Sequence, residues 1–171
     1  MLTGVVLAAL VWLVFSPPAR VGYAPVQPMK YSHKTHVGLY KMDCLYCHNQ
    51  ATEGKRAGIP SMNSCMNCHT FVGFGTLEGQ KVQKIWRDKE QPQWIRINNM
   101  PDFVKFSHAV HIKVLLKPGM ATKESCLPCH GDIAAMDIVA QVKPQTMGFC
   151  VQCHRQYAAQ GATLDCSGCH Y

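Results

Sequence analysis

Cys44-Leu45-Tyr46-Cys47-His48 is a phrase that the chain repeats four more times. The other copies are Cys65-Met66-Asn67-Cys68-His69, Cys126-Leu127-Pro128-Cys129-His130, Cys150-Val151-Gln152-Cys153-His154 and Cys166-Ser167-Gly168-Cys169-His170. Together they use all ten cysteines. Cys-x-x-Cys-His is the attachment signature of c-type haem. Two thioethers grip the porphyrin edge, and the adjoining histidine becomes the proximal iron ligand. The two-residue spacer matches the reach between the vinyl groups, and the histidine must follow at once to sit under the iron. The chain therefore carries sites for five covalently bound haems c, with His48, His69, His130, His154 and His170 as proximal ligands. Zinc ribbons also use Cys-x-x-Cys pairs but need no histidine after every pair. A disulfide framework would not impose that histidine either. Iron–sulfur ligation uses longer cysteine runs with other spacings.

A chain of 171 residues is the size of one domain. Shared among five haems, that is about 34 residues each (171/5), too few for an ordinary core around every porphyrin. The expected fold is mostly irregular with small α-helices at the motifs: a multihaem cytochrome c whose core is a haem stack. Such a chain depends on its cofactor as other small scaffolds depend on staples. The formal charge of +7 does not argue for nucleic acid. Each haem brings two propionates that offset much of it, the lysines are scattered, and no nucleic-acid motif is present.

Residues 1–19 carry no charge, and Leu2 to Phe15 is mostly aliphatic before Ser16-Pro17-Pro18 stops any helix. A secretory signal would have a basic start, which is missing here. One N-terminal transmembrane helix over 1–19 is the expectation, spanning about 22–28 Å against a hydrocarbon core of ~30 Å. Residues 20–30 contain Pro25 and Pro28 and read as an extended linker. An internal repeat follows: Lys30-Tyr31-Ser32-His33-Lys34-Thr35-His36 matches Lys105-Phe106-Ser107-His108-Ala109-Val110-His111, 75 positions later. Each His-x-x-His phrase precedes a pair of haem motifs. A methionine also stands three residues before each second motif, Met62 before Cys65 and Met147 before Cys150. The chain thus divides into a dihaem module over 31–70 and a trihaem module over 105–171. The connector, 71–104, carries no motif. Within it Thr76 caps an expected helix with Val82, Ile85 and Trp86 on one face. Trp94-Ile95-Arg96-Ile97 reads as a short strand, and Pro101-Asp102 as a turn.

Nine histidines are present, of which five are proximal. The other four, His33, His36, His108 and His111, all lie in the His-x-x-His phrases, where a pair three apart on a helical turn points the same way. Four haems can therefore be bis-histidine. The fifth needs another distal ligand, and a methionine thioether, which raises the potential, is the natural candidate. With every iron six-coordinate, no site is left for small-molecule catalysis, and the function is electron transfer along a closely packed haem row.

This arrangement resembles the class III multihaem cytochromes c, above all their three-haem members. The resemblance implies that His108 pairs with His130, His111 with His154, and Met147 with His170, where those relatives have histidine in place of Met147. In the first module it implies His33 with His48 and His36 with His69. Met136, Met120 and Met100 are the alternatives to Met147.

The whole soluble part further resembles the pentahaem cytochrome c component of alternative complex III, a quinol:acceptor oxidoreductase. The motifs are the Ser-His-x-x-His phrases, Gly58-Ile59-Pro60-Ser61, Pro101-Asp102-Phe103-Val104 and Thr146-Met147-Gly148-Phe149-Cys150. That family implies an electron-transfer subunit with no catalytic site of its own, anchored in the cytoplasmic membrane with its haem domain on the periplasmic side. Its implied partners are integral membrane quinol-binding subunits, a monohaem cytochrome and an iron–sulfur subunit. The implied acceptor is a soluble cytochrome or blue copper protein. Two other readings stand beside it. One is a self-contained anchored quinol dehydrogenase of the tetrahaem nitrate/nitrite-respiration type, against which Gln50 counts, since that family has methionine two residues past the first haem histidine. The other is a periplasmic electron shuttle.

Overall fold

The computed structural model describes residues 4–7, which are helical, and 20–171. Seven α-helices follow residue 20: α1 (Cys44–Cys47), α2 (Met62–His69), α3 (Leu77–Arg87), α4 (His108–Leu115), α5 (Thr122–His130), α6 (Met147–Gln156) and α7 (Cys166–Cys169). A π-helical turn, Lys34–Leu39, carries the first His-x-x-His phrase, and three short 3-10 turns link the helices. All five Cys-x-x-Cys-His phrases start on helices. On a helix, positions i, i+3 and i+4 share a face, so the two thiols of each phrase point to one side; His69, His130 and His154 continue that face, whereas His48 and His170 lie just past their helices. Caps place these helices where the chain needs them. Asp43 accepts from Leu45 N at 2.8 Å at the start of α1, and Thr146 caps α6 through Phe149 N.

The expected connector helix is α3, started by Thr76, whose hydroxyl accepts from Gly79 N at 3.0 Å. Val82 is buried, Ile85 packs beside it, and Trp86 is 41% exposed. The Pro101 turn is also present, closed by Val104 N donating to Pro101 O. The expected strand at Trp94–Ile97 is not a strand. Its main chain finds its partner in a side chain: Gln27 donates to Ile95 O and accepts from Ile95 N, each at 2.9 Å. One amide thus does the work of a neighbouring strand, and no ladder forms. Among the described residues the only β-pairing is an isolated bridge between Val104 and His170.

The apolar core is small. Met29, Met62, Met66 and Val82 form its cluster, with Cys65, Ile85 and Trp94 packed against it. The 20–30 stretch acts as a strap, sending Met29 into that cluster and exchanging main-chain hydrogen bonds with Gln141 through Gly22 and Tyr23. The two repeats interlock. Ala109 N donates to Gly54 O, Lys34 N donates to Met136 O, and the Ser32 hydroxyl donates to Asp137 at 2.6 Å. The anchor expected over 1–19 falls outside the described residues apart from 4–7. Among the described residues no helix is long and apolar enough to cross a membrane.

Candidate haem sites

The structure brings eight of the nine histidines together in twos. His33 faces His48 at 6.4 Å between ring centres, His36 faces His69 at 6.1 Å, His108 faces His130 at 6.2 Å, and His111 faces His154 at 6.1 Å. Two metal–imidazole bonds of about 2 Å each, plus the inner radius of each ring, come to about 6 Å. The spacing therefore fits one iron held axially between two imidazoles, and in each pair one member follows a Cys-x-x-Cys. Among the described residues no group of three or more His, Cys, Asp or Glu converges on a point. The donors come in pairs, the number a porphyrin iron takes from its protein.

The ring orientations follow from local structure. A ligating imidazole normally donates its second N–H to an acceptor, which sets its tautomer and raises its basicity. His36 Nδ1 lies 2.8 Å from Ser32 O and His111 Nδ1 lies 2.7 Å from Ser107 O, each reaching back four residues. Helical side chains lean toward the N-terminus, so the second histidine of each phrase finds that carbonyl automatically. The other contacts are long-range or from loops: His48 with Gly58 O at 2.7 Å, His108 with Lys55 O at 2.7 Å, and His154 with Thr163 O at 2.6 Å. All five leave Nε2 as the nitrogen free to meet a metal. Burial first, then the neighbouring His48 and His36, holds His33 down at a pKa of about 4. His130 is lowered to about 4 by burial, then by His108 and His48. Both are neutral at physiological pH, as a metal ligand must be.

One aromatic in each repeat packs on both imidazoles of its His-x-x-His phrase. Tyr31 stacks on His36 at 4.4 Å and meets His33 edge-on at 4.8 Å. Phe106 lies against His111 at 4.6 Å and meets His108 edge-on at 4.9 Å. The consequence is the same in both repeats. The first pair of each is nearly coplanar, at 6° and 8°, and the second is tilted, at 46° and 41°. The sequence repeat already contained the aromatic; its role as a wedge emerges only with the two histidines in place.

The attachment thiols lie in a row that does not follow chain order. Cys47 is raised by burial, then by Cys65 and Cys68 of the second motif. Cys44 is raised first by the Cys126 thiol of the third motif, and Cys126 is in turn drawn down to about 7 by Cys44. Cys129 is raised by burial, then by Cys153 and Cys150 of the fourth motif. Cys150 is raised by burial, then by Cys169 of the fifth. Each of these influences requires the two sulfurs to lie close in space. The row runs second, first, third, fourth, fifth. Packing of α1 on α5 makes the crossing between modules.

The fifth motif is built differently. His170 is held in the bridge to Val104, and the ring against it is Phe103, at 5.8 Å and 27°. Met147, the distal ligand expected from the sequence, is the first residue of α6 and is 66% exposed. Its counterpart in the first repeat, Met62, is 1% exposed and belongs to the apolar core. Sequence reasoning did not single out Asn98, whose side-chain amide lies 3.3 Å from His130 Nδ1. No spacing rule marks it, because it comes from the connector.

Comparison with known proteins adds to this geometry. Residues 104–171 match the family described as cytochrome c7 and related cytochrome c. The chain is also similar to the multiheme cytochrome c subunit of menaquinone reductase from Nitratidesulfovibrio vulgaris. The two are 30% identical over 174 aligned positions, which cover 94% of this chain and 83% of the relative. The likeness spans both repeats and the connector. With five attachment phrases and four imidazole pairs at the spacing of an axially held iron, the chain belongs to the family of that multihaem cytochrome c subunit.

Proposed function

We propose that this chain is the electron-relay subunit of a membrane-bound complex that reduces menaquinone. The observation that carries the relay reading is the meeting of eight histidines as four pairs, each 6.1 to 6.4 Å apart. When bound, haem supplies a one-electron couple at each attachment site. The residues do the rest. Each imidazole pair would hold the iron from both sides and leave no place on it for substrate. The proximity of neighbouring thiols supports the order second, first, third, fourth, fifth, which makes the His69 and His170 sites the two ends of the path. Met147 is proposed as the sixth ligand at His170. Loss of the sulfur-to-iron charge-transfer band in Met147→Ala supports that assignment, and its persistence overturns it.

The quinone assignment is supported by the relative's name, menaquinone reductase. It reverses the direction implied by the resemblance to alternative complex III, in which quinol is the donor. In our reading a periplasmic carrier donates to one end of the row. Quinone-reactive membrane subunits accept at the other, with the haem domain on the outer face of the cytoplasmic membrane. The quinol-oxidising direction is the second reading, favoured by Gly58-Ile59-Pro60-Ser61 and Thr146-Met147-Gly148-Phe149.

One experiment separates these readings. The complex is purified in mild detergent, its haems are reduced, and a soluble menaquinone analogue is added. Rapid reoxidation in the complex, but not in this chain alone, is expected. Failure of the quinone to reoxidise the haems, with rapid reduction by the corresponding quinol, overturns the proposed direction. Reaction of the isolated chain with quinone or quinol would instead place a quinone site within it.

A further inference from the structure

Among the described residues, six ligand-candidate imidazoles have an Nδ1 partner. Five meet a main-chain carbonyl, and His130 meets the side chain of Asn98. With Nε2 directed at the iron, Nδ1 of His130 carries the proton and donates it. The amide nitrogen of Asn98 is the end that lies 3.3 Å from Nδ1; two donors cannot share a hydrogen bond, so with Nε2 on the iron a half-turn of the amide brings its oxygen to this N–H. We propose that Asn98 is a positioning residue for His130, accepting its Nδ1–H and thereby setting the potential of the haem at the third motif. The proposal rests on the reading of His130 and His108 as an axial pair.

The physical argument is short. An acceptor on Nδ1–H shifts electron density toward Nε2 and makes the imidazole a stronger donor to iron. A stronger donor favours the oxidised metal and lowers the potential, and hydrogen bonding around the ligands is one of the protein's main controls on it. At five imidazoles the acceptor is backbone and cannot be removed by substitution. At His130 it is a side chain, delivered by the connector and held near the point where Ile95 is fastened to Gln27. The position matters because the third motif adjoins the first through Cys126 and Cys44. It is the step by which electrons pass from one module to the other. The connector thus does more than cover haem faces: it sets the level of the crossing site relative to its neighbours.

The test is an optical redox titration of the full chain in its complex, comparing wild type with Asn98→Leu and Asn98→Asp. Leucine keeps the bulk and removes the acceptor, so one of the midpoints should rise. Aspartate gives a stronger, charged acceptor, so the same midpoint should fall, with the others unmoved. Shifts of the same sign in the two variants, or no shift in either, overturn the proposal, because a packing role has no reason to change sign. A third variant tests the underlying reading separately. His108→Ala should remove one haem's share of the low-spin bis-histidine signal in electron paramagnetic resonance. If that signal is intact, the axial assignment has failed, whatever Asn98 does.

Discussion

Gly73→Ala is the substitution whose effect the geometry specifies most closely. Gly73 lies just beyond α2 with φ of +89°, a backbone conformation that costs a residue with a Cβ about 1–2 kcal/mol. A Cβ there would stand 2.7 Å from His69 Nδ1 and 3.0 Å from its Cε1. Ordinary contact begins at 3.4 Å, so the imidazole would have to retreat by about 0.7 Å (3.4 minus 2.7). His69 faces His36 at 6.1 Å, a spacing with little slack for a metal held between the two. The backbone strain alone, at about 2–4 °C per kcal/mol for a chain of this size, lowers the melting temperature by about 2–8 °C. The displaced ring adds a spectroscopic effect at the tilted pair of the first module. Gly75→Ala is the matched control: two residues away, it has nothing within 4 Å of its would-be Cβ. The assay is thermal unfolding of the holoproteins followed at the Soret band, with low-spin content measured on the same samples. If Gly73→Ala matches Gly75→Ala in both, the reasoning about the His69 pocket is wrong.

Three further outcomes are expected. The low-spin resonance spectrum should contain two bis-histidine classes of equal weight. The near-coplanar pairs, His33–His48 and His108–His130, give rhombic signals. The tilted pairs, His36–His69 and His111–His154, give a larger maximum g value; four equivalent signals would contradict the ring angles. Met62→Ala should cost about 2–5 kcal/mol, because it empties the most buried side chain of the core while its haem spectrum stays native. Asp137 is held below the usual carboxylate range, first by the Ser32 hydroxyl and then by Lys34. A lowered folded pKa means that its contribution is present above pH ~4 and is lost as pH falls through the folded value. Wild type and Asp137→Asn should therefore differ in stability at neutral pH and converge in acid; a constant gap would refute the link.

The helices at the five phrases are legible because covalent chemistry leaves no freedom in Cys-x-x-Cys-His, and a helix sets both cysteines of that spacing on one face. Thr76 was legible as a cap for the same local reason. The strand expected at Trp94–Ile97 failed because its partner, Gln27, is a side chain 68 residues away from Ile95, and propensity carries no information about such a contact. The order of the sites was hidden likewise. It depends on Cys44 meeting Cys126 and on His108 meeting Lys55 O, contacts that join one repeat to the other. The two methionines make the sharper lesson. Met62 and Met147 hold the same place relative to their motifs, yet one is buried and the other exposed. The first repeat has α3 and Met29 to close over that position, so the thioether becomes core. In the second repeat the corresponding methionine is left on the surface of α6, and a further motif follows it. A repeat therefore keeps what its backbone dictates, the aromatic wedge and the two histidines behind it. What the same residue does outside that wedge is decided by whichever segment of chain packs against it.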